Sequence, residues 1–190
     1  MGSIYDPYPD RVEVDGNEYL LDLAYDNVLK AIDIYGDDNL TRSDRVEVMC
    51  AFLLAYPDKD TPATHEGRVR LLNAIFDLFP KSEETHEKTI DFHQDAAMIR
   101  SAFFRIGIDL LIDRIHFFQF LELLADLPKD TALMRTIDIR TRPVPKPTKD
   151  NREQIAELMR LKAKVAIKMS DDDRRKQFME SLKNSSVMRG

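Results

Sequence analysis

Residues 114–128 read RIHFFQFLELLADLP, a histidine set against three phenylalanines and a nearly unbroken apolar run, in a chain with no tryptophan. At about 100° per residue, Phe117, Phe118, Phe120, Leu121, Leu124 and Leu127 occupy close to half of a helical circumference. Ile112, Ile115 and Leu123 then intrude on the side that would otherwise be polar. A helix this widely apolar, expected over about 110–126, must either lie at the centre of a core or be covered by another protein. Of these residues, Phe117 and Leu121 are expected in the core together with Phe103.

Outward from this stretch the chain keeps a helical period. Residues 23–35 place Leu23, Val28, Ile32 and Tyr35 near one face and stop at Gly36. Residues 44–56 follow Thr41 or Ser43 as cap, turn Val46, Cys50, Leu53 and Leu54 inward, and end at Pro57. Residues 65–79 repeat the pattern with Val69, Leu72, Phe76 and Phe79. Asp91 with Gln94 has the spacing of a capping box, followed by a stripe of Phe92, Ala96, Ile99 and Phe103. Gly107 breaks or bends the chain after it. The one strand signal is RVEVDGNEYLL (11–21), which alternates around Asp15-Gly16, a pair suited to a type I′ turn. A hairpin of 11–14 with 17–20 is expected, and it is the only sheet expected.

RPVPKPT (142–148) fixes three φ angles with Pro143, Pro145 and Pro147, which favours an extended polyproline spacer. Beyond it Ile155, Leu158, Leu161 and Val165 form another apolar stripe. Ser170 followed by three aspartates marks a further helix start leading to Phe178 and Leu182. The expected fold is therefore mainly α: a compact helical body with a small N-terminal β-hairpin and a C-terminal helical arm. Its boundaries are 1–141 for the body, 142–148 for the linker and 149–190 for the arm.

Charge follows the same division. The chain carries −6 overall, with −13 on residues 1–134 and +7 on 135–190. An acidic body thus carries a basic arm, which could meet nucleic acid, an acidic partner or its own body. Docking on the body or self-association is preferred, because the arm's bases are interspersed with acids. Nucleic acid is disfavoured, since the arm lacks interleaved aromatics and the body's helices are acidic where phosphate contact needs bases. An apolar fraction of 43% with 33% charged residues describes a protein with a highly charged exterior. No run approaches 18 apolar residues, so no membrane span is expected, and the N-terminus lacks the regions of a signal peptide.

Catalytic and metal chemistry find little support. The six glycines are scattered and build no phosphate cradle. His86 and His93, with Asp91 and Asp95, have no common zinc spacing. Cys50 sits in an apolar run, where a thiolate is disfavoured. His116 has no serine, cysteine or other activated group beside it, so a core-edge histidine bonding a carbonyl is expected instead. The residues point to a binding protein, not an enzyme, with no cofactor.

Within DFHQDAAMIRSAFFRIGIDLLIDRIHFFQFLELLADLPKDTALMRTIDIR, beginning at Asp91, several features recur in a known order. They are Asp91-Phe92, Asp95-Ala96, Ala102-Phe103, Gly107-Ile108-Asp109-Leu110, His116 with aromatics at 117, 118 and 120, Leu127-Pro128, Asp130-Thr131 and Ile139-Arg140. In this order they resemble the bacteriophage "gene product fifteen" family of tailed-phage proteins, and VDGNEYLLDLAYDNVLKAIDIYGDDNLTRSDRVEVM upstream is similar to its opening hairpin and first helices. The likeness covers residues 11–168; Phe117 and Phe118 stand where that family usually has tryptophans. The resemblance implies a tail assembly chaperone of the host cytoplasm, absent from the finished virion. Such a protein coats the aggregation-prone helical tape measure protein and helps recruit the tail tube protein. A structural tail or head-completion protein retained in the particle is the alternative, and a helical nucleic-acid-binding regulator a third. The apolar residues left over for client or neighbour contact are Ile112, Ile115, Phe118 and Leu123, with Ile155, Leu158, Leu161 and Val165 of the arm. The eight methionines suit an adaptable contact surface.

Overall fold

The structure, a computed structural model, describes residues 5–79 and 88–168. Two short strands, β1 (Arg11–Val14) and β2 (Asn17–Leu20), pair antiparallel with Val12 opposite Tyr19. Asp15 and Gly16 both have positive φ, 54° and 75°, as a type I′ turn requires. The expected hairpin is therefore present at its expected register.

Eight helices follow among the described residues: α1 (Tyr25–Gly36), α2 (Arg42–Leu53), α3 (Pro57–Asp60), α4 (His65–Asp77), α5 (Ala96–Arg105), α6 (Phe117–Ala125), α7 (Ala132–Thr141) and α8 (Arg152–Val165). The mainly α class holds. Threonine caps open three of them. Thr41, Thr64 and Thr131 each accept the amide of the third residue onward, from Asp44, Gly67 and Met134.

Several boundaries and faces differ from the periodic reading. Ile32 and Tyr35 of α1 are exposed while Val28 and Ala31 are buried, so the inward face is rotated by one small residue. Pro57 does not end α2, which stops at Leu53; it occupies the first turn of α3, where its missing amide costs nothing. The expected helix over 110–126 begins only at Phe117, because 110–116 is drawn into other pairings. Helix α7 was not anticipated: its apolar stripe is thin, and only Thr131 before it signals a start. Ser170 and the expected helix after it lie outside the described residues.

The described chain forms two compact units. The first takes residues 5–79 with Phe103–Leu127. At its centre the segment following β2 is stitched on both sides. Asp22 N–H donates to the Leu53 carbonyl at 2.9 Å and Ala55 N–H to that of Leu20 at 3.0 Å, while Tyr25 N–H and Phe117 N–H bond Ile115 and Leu23 at 3.0 and 2.8 Å. Met49, Cys50, Leu53, Leu71, Ile75, Phe103 and Phe120 are essentially inaccessible and form its core.

The second unit takes residues 88–102 with 128–168. It unites the start of α5 with α7 and α8, so α8 belongs with part of the segment expected in the body. Residues 142–150, between α7 and α8, are exposed throughout and form neither helix nor strand over the prolines.

Candidate functional site

The end of α5 is shaped by its glycine. Gly107 has φ 87°, its N–H donates to the Phe104 carbonyl at 3.1 Å, and Ile108 N–H reaches back to Phe103 at 3.1 Å. These are the two bonds of a Schellman stop, which satisfies the last carbonyls of the helix. A second closed turn follows at once. Asp109 Oδ1 accepts Leu111 N–H at 3.0 Å, Asp113 Oδ2 accepts Asp109 N–H at 2.8 Å, and Asp113 N–H donates to the Asp109 carbonyl at 2.7 Å. The Tyr25 hydroxyl donates to the Leu110 carbonyl and ties this turn to α1.

Two consecutive turns with their backbone bonded in this way hold four large apolar side chains out of the core. Phe104 is 69% exposed, Ile106 37%, Leu111 79% and Ile112 77%. Single exposed leucines need no explanation, but four within nine residues on a fixed backbone are unusual for a surface facing only water. Arg105, Asp109, Asp113 and Arg114 supply charge between and beside them. The arrangement can bind an apolar partner.

Of the residues expected to meet a partner, Ile112 alone is fully exposed. Ile115, Phe118 and Leu123 are half-buried. Phe118 belongs to a ring cluster, with centroids 5.4 Å from Phe79, 5.3 Å from His116 and 6.3 Å from Tyr8. Phe118 is thus half-buried among rings of its own chain. In the arm, Leu158 is buried within the second unit and Ile155, Leu161 and Val165 are half-buried there, so that stripe already has a seat. Phe103 and Phe117 are buried as expected, and Leu121 is half-buried. Of the methionines in described segments, Met49 is buried, Met98 and Met134 are half-buried and Met159 is exposed, which leaves little methionine surface there.

Leu111 was missed in the sequence because 110–126 read as one helix, and Phe104 and Ile106 because the stripe of α5 was followed only to Phe103. Their signal was Asp109 and Asp113 four residues apart, directly after a glycine stop. Asp91 and Asp95 carry the same spacing and the same device. Asp91 Oδ1 accepts the amides of His93 and Gln94, and Asp95 Oδ2 accepts that of Asp91 at 3.0 Å. The reciprocal partner of Asp91 is thus Asp95 and not Gln94.

His116 is a capping residue. Its Nδ1 accepts Phe118 N–H at 3.2 Å, and its Nε2 lies 3.2 Å from the Pro9 carbonyl. A carbonyl only accepts, so Nε2 carries the proton and the ring is neutral. Tyr8 stacks on it at 4.9 Å, its hydroxyl donating to Glu122 at 2.6 Å. Burial pushes the imidazole below its ordinary value, against the opposing pull of the Pro9 carbonyl and Asp10. The carbonyl-bonded, structural histidine is what the geometry shows.

The Cys50 thiol, fully buried, is pushed up to about 11 by desolvation and is protonated at neutral pH. Asp91 and Asp95 are engaged as helix-start acceptors, His93 is exposed, and His86 lies outside the described residues. Among the described residues no group of three or more histidine, cysteine or acidic side chains stands together as metal ligands. No described helix is long and apolar enough to cross a membrane.

The model of the family described as bacteriophage Gp15 protein matches residues 4–167, nearly the whole of the described chain. Comparison with curated proteins and with solved structures finds no match.

Proposed function

We propose that this chain, which belongs to the bacteriophage Gp15 protein family, is a tail assembly chaperone that covers apolar helical stretches of the phage tape measure protein until the tail tube forms around it. The observation that carries this reading is the pair of bonded turns presenting Phe104, Ile106, Leu111 and Ile112. A client helix with an apolar stripe is insoluble because that stripe faces water. Apolar contact area removes it from water at about 25 cal/mol per Å². Side chains on a fixed backbone do this without a large ordering cost at the moment of binding. The net charge of −6 then keeps the complex dispersed.

The role is one of binding without bond chemistry. It places the protein in the host cytoplasm and outside the finished virion, with the tail tube protein as a second partner. Co-expression with a tape measure fragment that is insoluble alone tests it: the fragment stays in solution and copurifies. Purified particles separate it from a virion component. Mass spectrometry of them finds the tape measure and tube proteins and not this chain, whereas stoichiometric amounts in the particle would favour a structural part.

A further inference from the structure

We propose that α8 is an exchangeable helix, which seats on the α7 face of a second copy of this chain as it seats on its own. Its seat is built around a reciprocal cap. Arg140, in the last turn of α7, donates through Nε to the Val165 carbonyl at the end of α8 at 2.6 Å. Lys162, in the last turn of α8, donates through Nζ to the Arg140 carbonyl, also at 2.6 Å. Each helix thus supplies the cation that the other's carbonyl end requires. Gln94 adds a pair of bonds, accepting Lys168 N–H at 3.2 Å and donating to its carbonyl at 3.5 Å.

The seat has an anchor of its own. Arg140 is gripped by Asp95 at 2.5 and 2.9 Å and donates to the Thr89 carbonyl at 2.9 Å, none of which involves α8. The occupant is held more by the bonds of its cap than by burial, since of its apolar stripe only Leu158 is buried and Ile155, Leu161 and Val165 are half-buried. The tether leaves it free to travel. From Pro143 to Asp150 every residue is exposed, and the hydrogen bonds of this stretch run within 146–151, from Thr148 N–H to Asn151 and from Asn151 to the Lys146 carbonyl. Extended polyproline backbone rises about 3.1 Å per residue, so such a tether spans tens of ångströms.

A helix of 14 residues is marginal alone in water. Once released, α8 must cover its stripe, and the surface that matches both its leucine and its C-terminal cap is the vacated seat of another copy. Exchange of identical elements preserves every contact and changes only the tether entropy. A short tether holds the helix at an effective concentration of roughly millimolar, so exchange between copies emerges as the protein approaches that concentration.

The test uses the full chain and no client, and so stands apart from the chaperone reading. One copy carries Gln94→Cys and a second, differently tagged copy carries Lys168→Cys; native Cys50 is buried and unreactive. The copies are mixed at high concentration and treated with a short bismaleimide. The expected result is a cross-link between the two tags that grows with concentration. It falls at least about tenfold when the Lys168→Cys copy also carries Leu158→Asp, as a charge placed in a buried contact requires. Both cysteines in one dilute chain should instead link internally. Internal linking without any linking between copies at high concentration overturns the proposal, and so does a link between copies that is indifferent to Leu158→Asp.

Discussion

Arg140 grips Asp95 with both terminal nitrogens, at 2.5 and 2.9 Å, and the carboxylate it holds also accepts the Asp91 amide at 3.0 Å. Asp95 is 1% exposed. One ion pair therefore joins α7 to the segment that starts α5, and its loss should be felt through the whole second unit. Arg140→Met leaves a carboxylate buried without its counter-charge, which costs about 3–5 kcal/mol. Arg140→Met with Asp95→Leu removes both charges and should recover a large part of that loss. Chemical denaturation of the single and double variants checks the ordering.

The same pair sets an acid limit. Burial alone would push the Asp95 carboxyl up, but the Arg140 guanidinium and the Asp91 amide outweigh it and hold the group below its ordinary value of 3.8. Asp91, buried in part but bonded by Lys88 and the amides of Gln94 and His93, is held at about 2. Lowered carboxyl values contribute stability that is present above the unfolded value and lost as pH falls through the folded one. Unfolding midpoints should thus decline from about pH 4 downward, and less steeply in the Arg140→Met, Asp95→Leu variant.

His116 adds a separate, milder dependence. Its folded value lies below 6.5, chiefly through burial, so the fold favours the neutral ring. Protonating Nδ1 would also remove the acceptor that caps Phe118 N–H. Stability is full above pH 6.5 and falls as pH drops below it, until the folded form takes up the proton too. His116→Asn keeps a capping oxygen without titrating and should flatten that part of the profile. His116→Ala should lose about 1 kcal/mol at neutral pH from the cap alone.

Gly107→Ala isolates the cost of the Schellman stop. Nothing lies within 4 Å of the added Cβ, so only the positive φ of 87° opposes it. The expected loss is about 1 kcal/mol, and Gly107→Asn should lose less because asparagine tolerates this region. Denaturant midpoints with unchanged m-values check both.

Much of this architecture was legible in the sequence where local chemistry decides. The Asp15-Gly16 hairpin, the Thr41 cap and the Gly107 stop need only a few residues to specify them. The helical period failed over 110–116 because tertiary pairing won. Ile115 and Phe117 bond Tyr25 and Leu23 across the chain, and no local pattern announces such a partner. The candidate surface went the same way. Once 110–126 is taken as a single helix, Phe118 and Ile112 look equivalent, whereas the structure packs the first among rings and leaves the second 77% exposed.

That contrast separates folding from binding. Phe118→Asp places a charge among Tyr8, Phe79 and His116 and should destabilise the first unit by several kcal/mol, on the order of 3. Ile112→Asp, at an exposed position, should stay within about 0.5 kcal/mol of the parent. Thermal melts of the two variants distinguish them before any partner is added.

The central claim is that the apolar side chains of the 104–112 turns cover a tape measure helix. It is tested most directly by the soluble fraction of a tape measure fragment co-expressed with the parent protein or with its Leu111→Asp, Ile112→Asp variant. The account predicts that the parent keeps the fragment in solution and copurifies with it. The variant, folded with an unchanged melting temperature, should lose most of that effect. Full solubilisation by the folded variant would contradict the surface, and failure of the parent to hold any tape measure fragment in solution would contradict the function.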